Sequence, residues 1–393
     1  PMPPAAAGHS PCGRRGRGSM FSLRPHGWAA TSGTLPRLDV TCIWAGKDLF
    51  HMLRTRVPDF CAGQESCQPV SPPWQHRARI VAIPSCNEAD FIIPCLRALA
   101  RQNGPKPHRV VVWVNNTQDG TAQRARSLVG HVPFALDVVE VTYDPAIAHA
   151  GQARRDAMAH AAHDAPDDAM LFTTDADGQV APDWMAQTLA AFARFDVAAV
   201  FGRALLLPDE ARKIPAHLHD DDDREQEYGA LLEQITARMA PDPHDPWPRH
   251  AEHSGASMAV TRHAWAAAGG IPAIPTGEDR AFYHTLRRGG FPVRHACDVK
   301  VYVSARLVGR ARGGMAETLA RRIVVQDDYV DDALETVSAR MLRIRNGLLA
   351  RGADMSGDAS SRIRRAELRL HHRRAERVLE FLARRPCPTV TTG

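Results

Sequence analysis

Two pairs of acids offer chemistry in this sequence. The first, Asp175-Ala176-Asp177, ends an apolar, β-prone run from Ala169 to Phe172 and is followed by Gly178 and Pro182. A buried strand that stops at two acids presents them beyond its carboxyl end, where the loops of an open α/β sheet line the ligand crevice. Acids at this spacing can hold a hard divalent cation through oxygen, directly or through water, and the cation can grip phosphate oxygens. An acidic turn has the same composition, since Asp and Gly are common turn formers, so the surroundings must decide. The second pair, Glu278-Asp279, follows Pro275-Thr276-Gly277 at the start of a helix whose apolar face carries Phe282 and Leu286. Acids are also favoured at that position by the helix macrodipole alone.

The elements that must position these acids are short and repetitive. Arg79 to Ile83 is a β-branched run that ends in Pro84-Ser85-Cys86-Asn87-Glu88, and Phe91, Ile92, Leu96 and Leu99 then mark one face of a helix. A second strand spans Arg109 to Val114, a polar turn follows from Asn115 to Thr121, and a helix runs from Ala122 to Val129. Phe134 to Val141 makes a third strand, a helix covers about Gln152 to His163, and the central strand comes next. Such βα units predict an α/β domain with a mostly parallel, Rossmann-like sheet sandwiched by helices. Further on, the pattern predicts a helix from Pro182 to Phe195, strands at Val197 to Phe201 and Gly255 to Val260, and an edge strand at Val299 to Val303. Between Pro208 and Pro248 the periodicity breaks down, apart from a helix expected over Arg224 to Met239. The run Asp220 to Asp223 reads as a solvated face or loop ahead of a metal site.

Composition bounds the rest. The 393 residues are 44% hydrophobic and 24% charged, an ordinary globular balance that supplies a sizeable core. The net charge of +5 is mild and the arginines gather at the two ends, so no nucleic-acid partner is expected. No two of the eight cysteines are spaced C-x-x-C, which excludes a zinc ribbon and a thioredoxin-type site. No run of about 20 apolar residues predicts a membrane span, and Arg14-Arg15 lacks the apolar stretch of a secretory signal. The expected location is cytoplasmic, with peripheral membrane contact left open. Residues 1–76, rich in Pro, Gly, Ser, Ala and Arg, read as a disordered extension, and 313–393 as two or three helices docked on, or extending from, the 77–312 domain. The C-terminal stripe of Arg364, Arg365, Arg369, Arg373, Arg374 and Arg377 reads as a solvated helix face before a lipid or nucleic-acid surface.

Four pieces then lie in one order: Ile83 to Glu88, Asn115 to Thr121, Asp175-Ala176-Asp177 and Gly277-Glu278-Asp279. Together they resemble the family 2 glycosyltransferases, over roughly residues 77 to 305. The resemblance implies the GT-A fold and an inverting hexosyltransferase. It would move a sugar from a nucleotide-sugar, UDP- or another NDP-sugar, to a hydroxyl acceptor, with Mn or Mg as cofactor. Pro84, Ser85 and Glu88 look like the residues that contact base and ribose, although Cys86 stands where the family usually has an aromatic or large residue. Asn115 replaces the family's base-binding Asp, and its amide can still pair with a pyrimidine edge. Asp119 looks like a structural helix cap. Gly151 to Asp156 is similar to the segment carrying the family's diphosphate arginine, with Arg155 the better fit in register. Asp177 corresponds to the metal-binding carboxylate, and Asp175 to the one nearer the ribose or a metal-bound water.

By the same resemblance Asp279, with Glu278 beside it, is the candidate general base that deprotonates the acceptor. Ser254, Gly255 and Ala256 would line the acceptor side by the same resemblance, while charge and position alone suggest that Arg306, Arg310 and Arg312 close over the diphosphate. His253 reads equally as an exposed histidine or a ligand. The Q-x-x-R-W motif of processive members is absent, which implies a single addition. Two rivals remain: a non-catalytic nucleotide- or sugar-binding module that kept the fold, and a sugar-phosphate nucleotidyltransferase. The latter would need a glycine-rich loop after the first strand, and Ile83 to Asp90 contains no glycine.

Overall fold

The structure, a computed structural model, describes residues 76–306, 329–330, 334–347 and 362–384. The expected N-terminal extension up to residue 75, Arg310, Arg312 and the helical periods at Leu319, Ile323, Leu348 and Leu349 lie outside these residues. The first half of the domain is a run of βα units: β1 (Arg79–Ser85), α1 (Ile92–Ala100), β2 (Arg109–Asn115), α2 (Thr121–Arg126), β3 (Ala135–Val141), α3 (Ala150–His163) and β4 (Met170–Thr173). The second half holds β5 (Gln179–Val180), α4 (Trp184–Phe195), β6 (Ala199–Leu206), α5 (Pro208–Ala211), α6 (Ala216–Met239), β7 (Met258–Thr261), α7 (Arg262–Ala267), α8 (Glu278–Arg288) and β8 (Val293–Val303). Among the described residues, α9 (Val337–Arg345) and α10 (Leu368–Ala383) follow.

One eight-stranded sheet runs in the order β3-β2-β1-β4-β7-β6-β8-β5. β3, β2, β1 and β4 are parallel to one another, β7 is antiparallel to both β4 and β6, and β8 runs parallel to β6. The sheet is therefore mostly parallel, as expected. Alternate residues feed opposite faces, as a period of two requires. Val81, Ile83, Val112, Met170 and Phe172 pack against α1, α2 and α4. Ile80, Ala82, Val111 and Leu171 pack against α3, α7 and α8. Each large side chain buried this way stabilises the fold by about 1.5–3 kcal/mol.

The order of strands fixes where a ligand can bind. The chain lays down β1, β2 and β3 in one direction and then returns to place β4 on the other side of β1, so the connections after β1 and β4 part and leave a crevice. That switch point lies at the tips of β1 and β4.

Two expectations are corrected. The stretch from Pro208 to Pro248 holds a 24-residue helix, α6, because Leu218, Tyr228, Leu232 and Ile235 form a face that a sequence so rich in Asp and Glu obscures. Asp220 to Asp223 sit on that helix, and Asp221 pairs with Arg224 and Arg365. The last strand of the sheet spans Val293–Val303 and is internal, since the two-residue β5 covers its outer side. No helix among the described residues is long and apolar enough to cross a membrane.

A third apolar cluster joins α6 to the C-terminal helices through Tyr228, Leu232, Ile235, Val337, Leu368 and Ala375. It is braced by a buried ionic chain. Arg340 of α9 donates to Glu233 Oε1 at 2.6 Å and also pairs with Glu335, and Arg249 Nε donates to Glu233 Oε2 at 2.8 Å.

Candidate active site

The loop after β1 is tied to the loop after β2 by side chains that replace missing regular structure. Asn87 adopts a left-handed backbone, φ 54°, tolerable for Asn, and its Oδ1 accepts the Gln118 N–H at 2.8 Å. Asp119 accepts from the backbone of Ala89 at 3.0 Å and of Thr121 at 2.9 Å, so it is structural, as expected. Glu88 N–H donates to Thr121 Oγ1 at 2.8 Å, while its carboxylate, although near a helix start, does not cap that helix. Instead it is buried, 5% exposed, and receives both Nη groups of Arg306 at 2.6 and 2.7 Å.

Arg306 also reaches Asp177 Oδ2 at 3.0 Å, so one guanidinium links the loop after β1 to the loop after β4. Burial, then the neighbouring Asp175 and Glu88, push the Asp177 carboxyl up to about 7 against the opposing pull of Arg306. Asp175 is held from the other side by Arg154, whose Nη2 donates to its Oδ1 at 2.7 Å.

Arg154 is the hub of the site. From α3 its guanidinium donates to Glu278 Oε1 at 2.9 Å, to Thr173 Oγ1 at 3.0 Å and to the Gly255 carbonyl at 3.0 Å, besides Asp175. It is 5% exposed. Burial disfavours its charge, but Asp175 and Glu278 outweigh that and raise its proton affinity. The two acidic pairs therefore converge on one side chain. Asp279, next to Glu278, accepts the Gly255 N–H at 2.8 Å and the Arg280 N–H at 2.7 Å. Burial and the adjacent Glu278 raise its proton affinity, partly offset by Arg154 and the two N–H groups.

The segment expected on the acceptor side thus packs beside Asp279, with Ser254 Oγ accepting the Ala256 N–H at 3.3 Å. The approach is close: a Cβ on Gly255 would stand 2.6 Å from Arg154 Cζ, and one on Gly151 2.0 Å from the Ile274 carbonyl oxygen. Two of the expected donor contacts, Ser85 and Asn115, are buried at the tips of β1 and β2, and Pro84 is half-buried beside them. Ser85 Oγ and Thr174 Oγ1, at the tips of neighbouring strands, are buried without a hydrogen-bond partner among the described residues. Unpaired buried hydroxyls are costly, and these two flank the switch point.

Arg155 is not brought to this site. Its Nη1 donates to the carbonyls of Ile271, at 2.5 Å, and Gly269, at 3.4 Å, pinning the turn before α8. The arginine that meets the acids is one residue earlier. The signal was available in the sequence: Gly151, Arg154, Met158 and Ala161 share one helical face, and 155 lies to its flank. Glu278 is placed as a partner of Arg154 and is 6% exposed. His253 is half-buried, packed on the Tyr283 ring at 4.0 Å, and desolvation of its ring followed by His295 and Arg280 drives its proton affinity well down.

No three His, Cys, Asp or Glu side chains among the described residues converge as a ready-made metal cage. Mg-type ions take one or two carboxylates and complete their shell with water and substrate phosphate. Asp175 and Asp177 suit that chemistry, because two acids crowd one buried corner and the proton affinity of Asp177 rises there.

Among solved structures, the chain is similar to TarS of S. aureus, residues 1–349 in complex with UDP, at 14% identity and TM-score 0.41 over 58% of this chain and 61% of that one. It is similar to the mannosyltransferase PcManGT of Pyrobaculum calidifontis, in complex with GDP-Man and Mn2+, at 18% identity and TM-score 0.44 over 81% and 79%. A third is glucosyl-3-phosphoglycerate synthase of Mycobacterium tuberculosis, in complex with Mn2+, UDP and phosphoglyceric acid, at 15% identity and TM-score 0.40 over 74% and 86%. The chain thus spans about three fifths of the length of the TarS fragment. These likenesses are too distant to transfer a donor, an acceptor or an ion. No curated protein matches the sequence at a significant level. Residues 80–246, a segment that holds Asp175 and Asp177, match the family model described as Glycosyl transferase family 2.

Proposed function

We propose that this protein is an inverting glycosyltransferase that moves a sugar from a nucleotide-sugar to a hydroxyl acceptor in a single addition. The observation that carries this reading is the convergence of Asp175 and of Glu278, the neighbour of Asp279, on Arg154 beside the switch point. The nucleotide lies across the tips of β1 and β2, where Pro84, Ser85 and Asn115 offer polar atoms to base and ribose and Glu88 can accept from a ribose hydroxyl. Ser85 Oγ and Thr174 Oγ1 gain the partners they lack. Arg155 was expected to bind the diphosphate; Arg154, its neighbour, instead fixes the loop that holds Asp175.

Asp279 takes the proton from the acceptor hydroxyl as that oxygen attacks the anomeric carbon. The bond to the nucleoside diphosphate breaks on the opposite face, which inverts the centre. A carboxylate with raised proton affinity is better matched to this task, and general-base assistance contributes on the order of 10²–10⁴-fold. Glu278 does not act on substrate but holds Arg154. Mn or Mg, bound by Asp177 with Asp175 nearby, would supply Lewis-acid stabilisation of the departing diphosphate.

A second reading rests on Arg306, whose guanidinium already occupies the carboxylates of Glu88 and Asp177. Here Arg306 itself provides the positive charge and no ion is needed. Slow hydrolysis of UDP-, GDP- and dTDP-sugars, measured with Mn2+ and with EDTA, separates the two. Loss of turnover in EDTA supports the ion; turnover unchanged in EDTA but lost in Arg306→Ala supports the arginine. Asp279→Asn should keep nucleotide-sugar binding and lose at least 100-fold in transfer. Absence of binding to any nucleotide-sugar overturns both readings in favour of a module with another ligand.

A further inference from the structure

The C-terminal helix α10 has two faces of opposite character. Leu368, His371 and Ala375 are buried, and Val378, Leu379 and Leu382 pack with them against α6 and α9. On the other side, Leu370, Arg373, Arg374, Arg377, Phe381 and Arg384 fall within an arc of about 100° at 3.6 residues per turn. All six are exposed, Leu370 by 42% and Phe381 by 54%. None of these four arginines pairs with a carboxylate among the described residues, and Glu376 and Glu380 fall outside the arc. Glu376 faces His372 instead, at 3.5 Å.

We propose that this outer face of α10 docks the protein on an anionic lipid bilayer. The argument is charge and polarity in one stripe. Four guanidinium groups match a phosphate-rich surface, and each basic residue near such a surface strengthens binding several-fold. Two large apolar side chains at either end of the same stripe would sink into the headgroup boundary, where a surface helix buries its apolar atoms while long basic side chains reach back to the phosphates. From Leu370 to Arg384 the stripe is about 21 Å long, enough for the helix to lie flat. A nucleic-acid backbone would satisfy the arginines but gives Leu370 nothing to bury against. The inner face is already committed to α6 and α9, so contact needs no rearrangement of the fold. Binding is independent of the glycosyltransferase site.

The test is sedimentation of the full chain with phosphatidylcholine vesicles carrying 0 or 30% phosphatidylglycerol. The expected result is binding to the anionic vesicles only, weakened by 0.5 M salt. Neutralising Arg373, Arg374 and Arg377 to Gln should weaken it on the order of 100-fold. Leu370→Ser with Phe381→Ser should weaken it on the order of tenfold or more. Lys at the three arginine positions should preserve binding. All these side chains are exposed, so the variants fold, which an unchanged thermal midpoint verifies. Equal binding to both vesicle types, no binding to either, full binding by both loss variants, or tighter binding to duplex DNA than to the anionic vesicles would each overturn the proposal.

Discussion

Replacing Arg154 by Met would strip the buried Glu278 and the half-buried Asp175 of the counter-charge they share. Breaking a buried ion pair in this way costs about 3–5 kcal/mol, so urea unfolding of Arg154→Met should show a loss of that size. Lys is no substitute, because one ammonium cannot span Asp175, Glu278, Thr173 and the Gly255 carbonyl as the planar fork does. At Asp177 the sign is opposite. Its folded-state proton affinity is raised from an ordinary 3.8 to about 7. Between these values the folded state keeps a proton that the unfolded chain has released, so stability falls as pH rises through that window. In EDTA, Asp177→Asn should therefore melt higher than the parent at pH 8 and no higher at pH 4. Mn2+ should raise the melting temperature of the parent at pH 8 and leave Asp177→Asn unmoved, since a ligand stabilises only the state that binds it.

At the scale of elements, the site depends on how closely α3 approaches the turn before α8. A Cβ on Gly151 would stand 2.0 Å from the backbone oxygen of Ile274, four residues before Glu278. The turn must give way, because the obstacle is main chain. Gly151→Ala is expected to destabilise by about 1–3 kcal/mol and to lower transfer on the order of 100-fold by moving Asp279 relative to the donor. The measurement is kcat beside a denaturation curve: a fall in kcat larger than the unfolded fraction explains assigns the effect to position. Arg155 supports the same turn through the Ile271 and Gly269 carbonyls, so one helix positions both the arginine hub and the turn that leads to Asp279.

Across the whole molecule, a helical unit of α6, α9 and α10 is locked to the sheet domain by buried charge as well as by its own apolar cluster. Glu233 receives Arg340 from α9 and Arg249 from the segment after α6, and Asp245 continues the chain to Arg294 and His295 of β8. Arg340→Ala should leave Glu233 and Glu335 short of a partner and destabilise by about 3–5 kcal/mol. Limited proteolysis should then cut near α9 sooner than the sheet domain, and simultaneous cutting everywhere would show one cooperative unit instead.

The sequence by itself determined the βα order, the identity of the two acidic pairs and their places beyond strand ends, because these follow from hydrophobic period and local breakers, which act over a few residues. It also carried the order of the four motif segments. Tertiary structure alone decided which neighbour of a pair turns inward: Arg154 and not Arg155, Asp279 toward the Gly255 N–H and Glu278 toward Arg154. It decided that Arg306 bridges Glu88 and Asp177 across 129 residues or more of chain. It also made a helix of the acidic stretch around Asp221, whose later turns carry Tyr228, Leu232 and Ile235 into one cluster with α9 and α10. Contacts between distant segments depend on strand order and on the angle at which each helix meets the sheet, and neither is encoded in any single window of sequence.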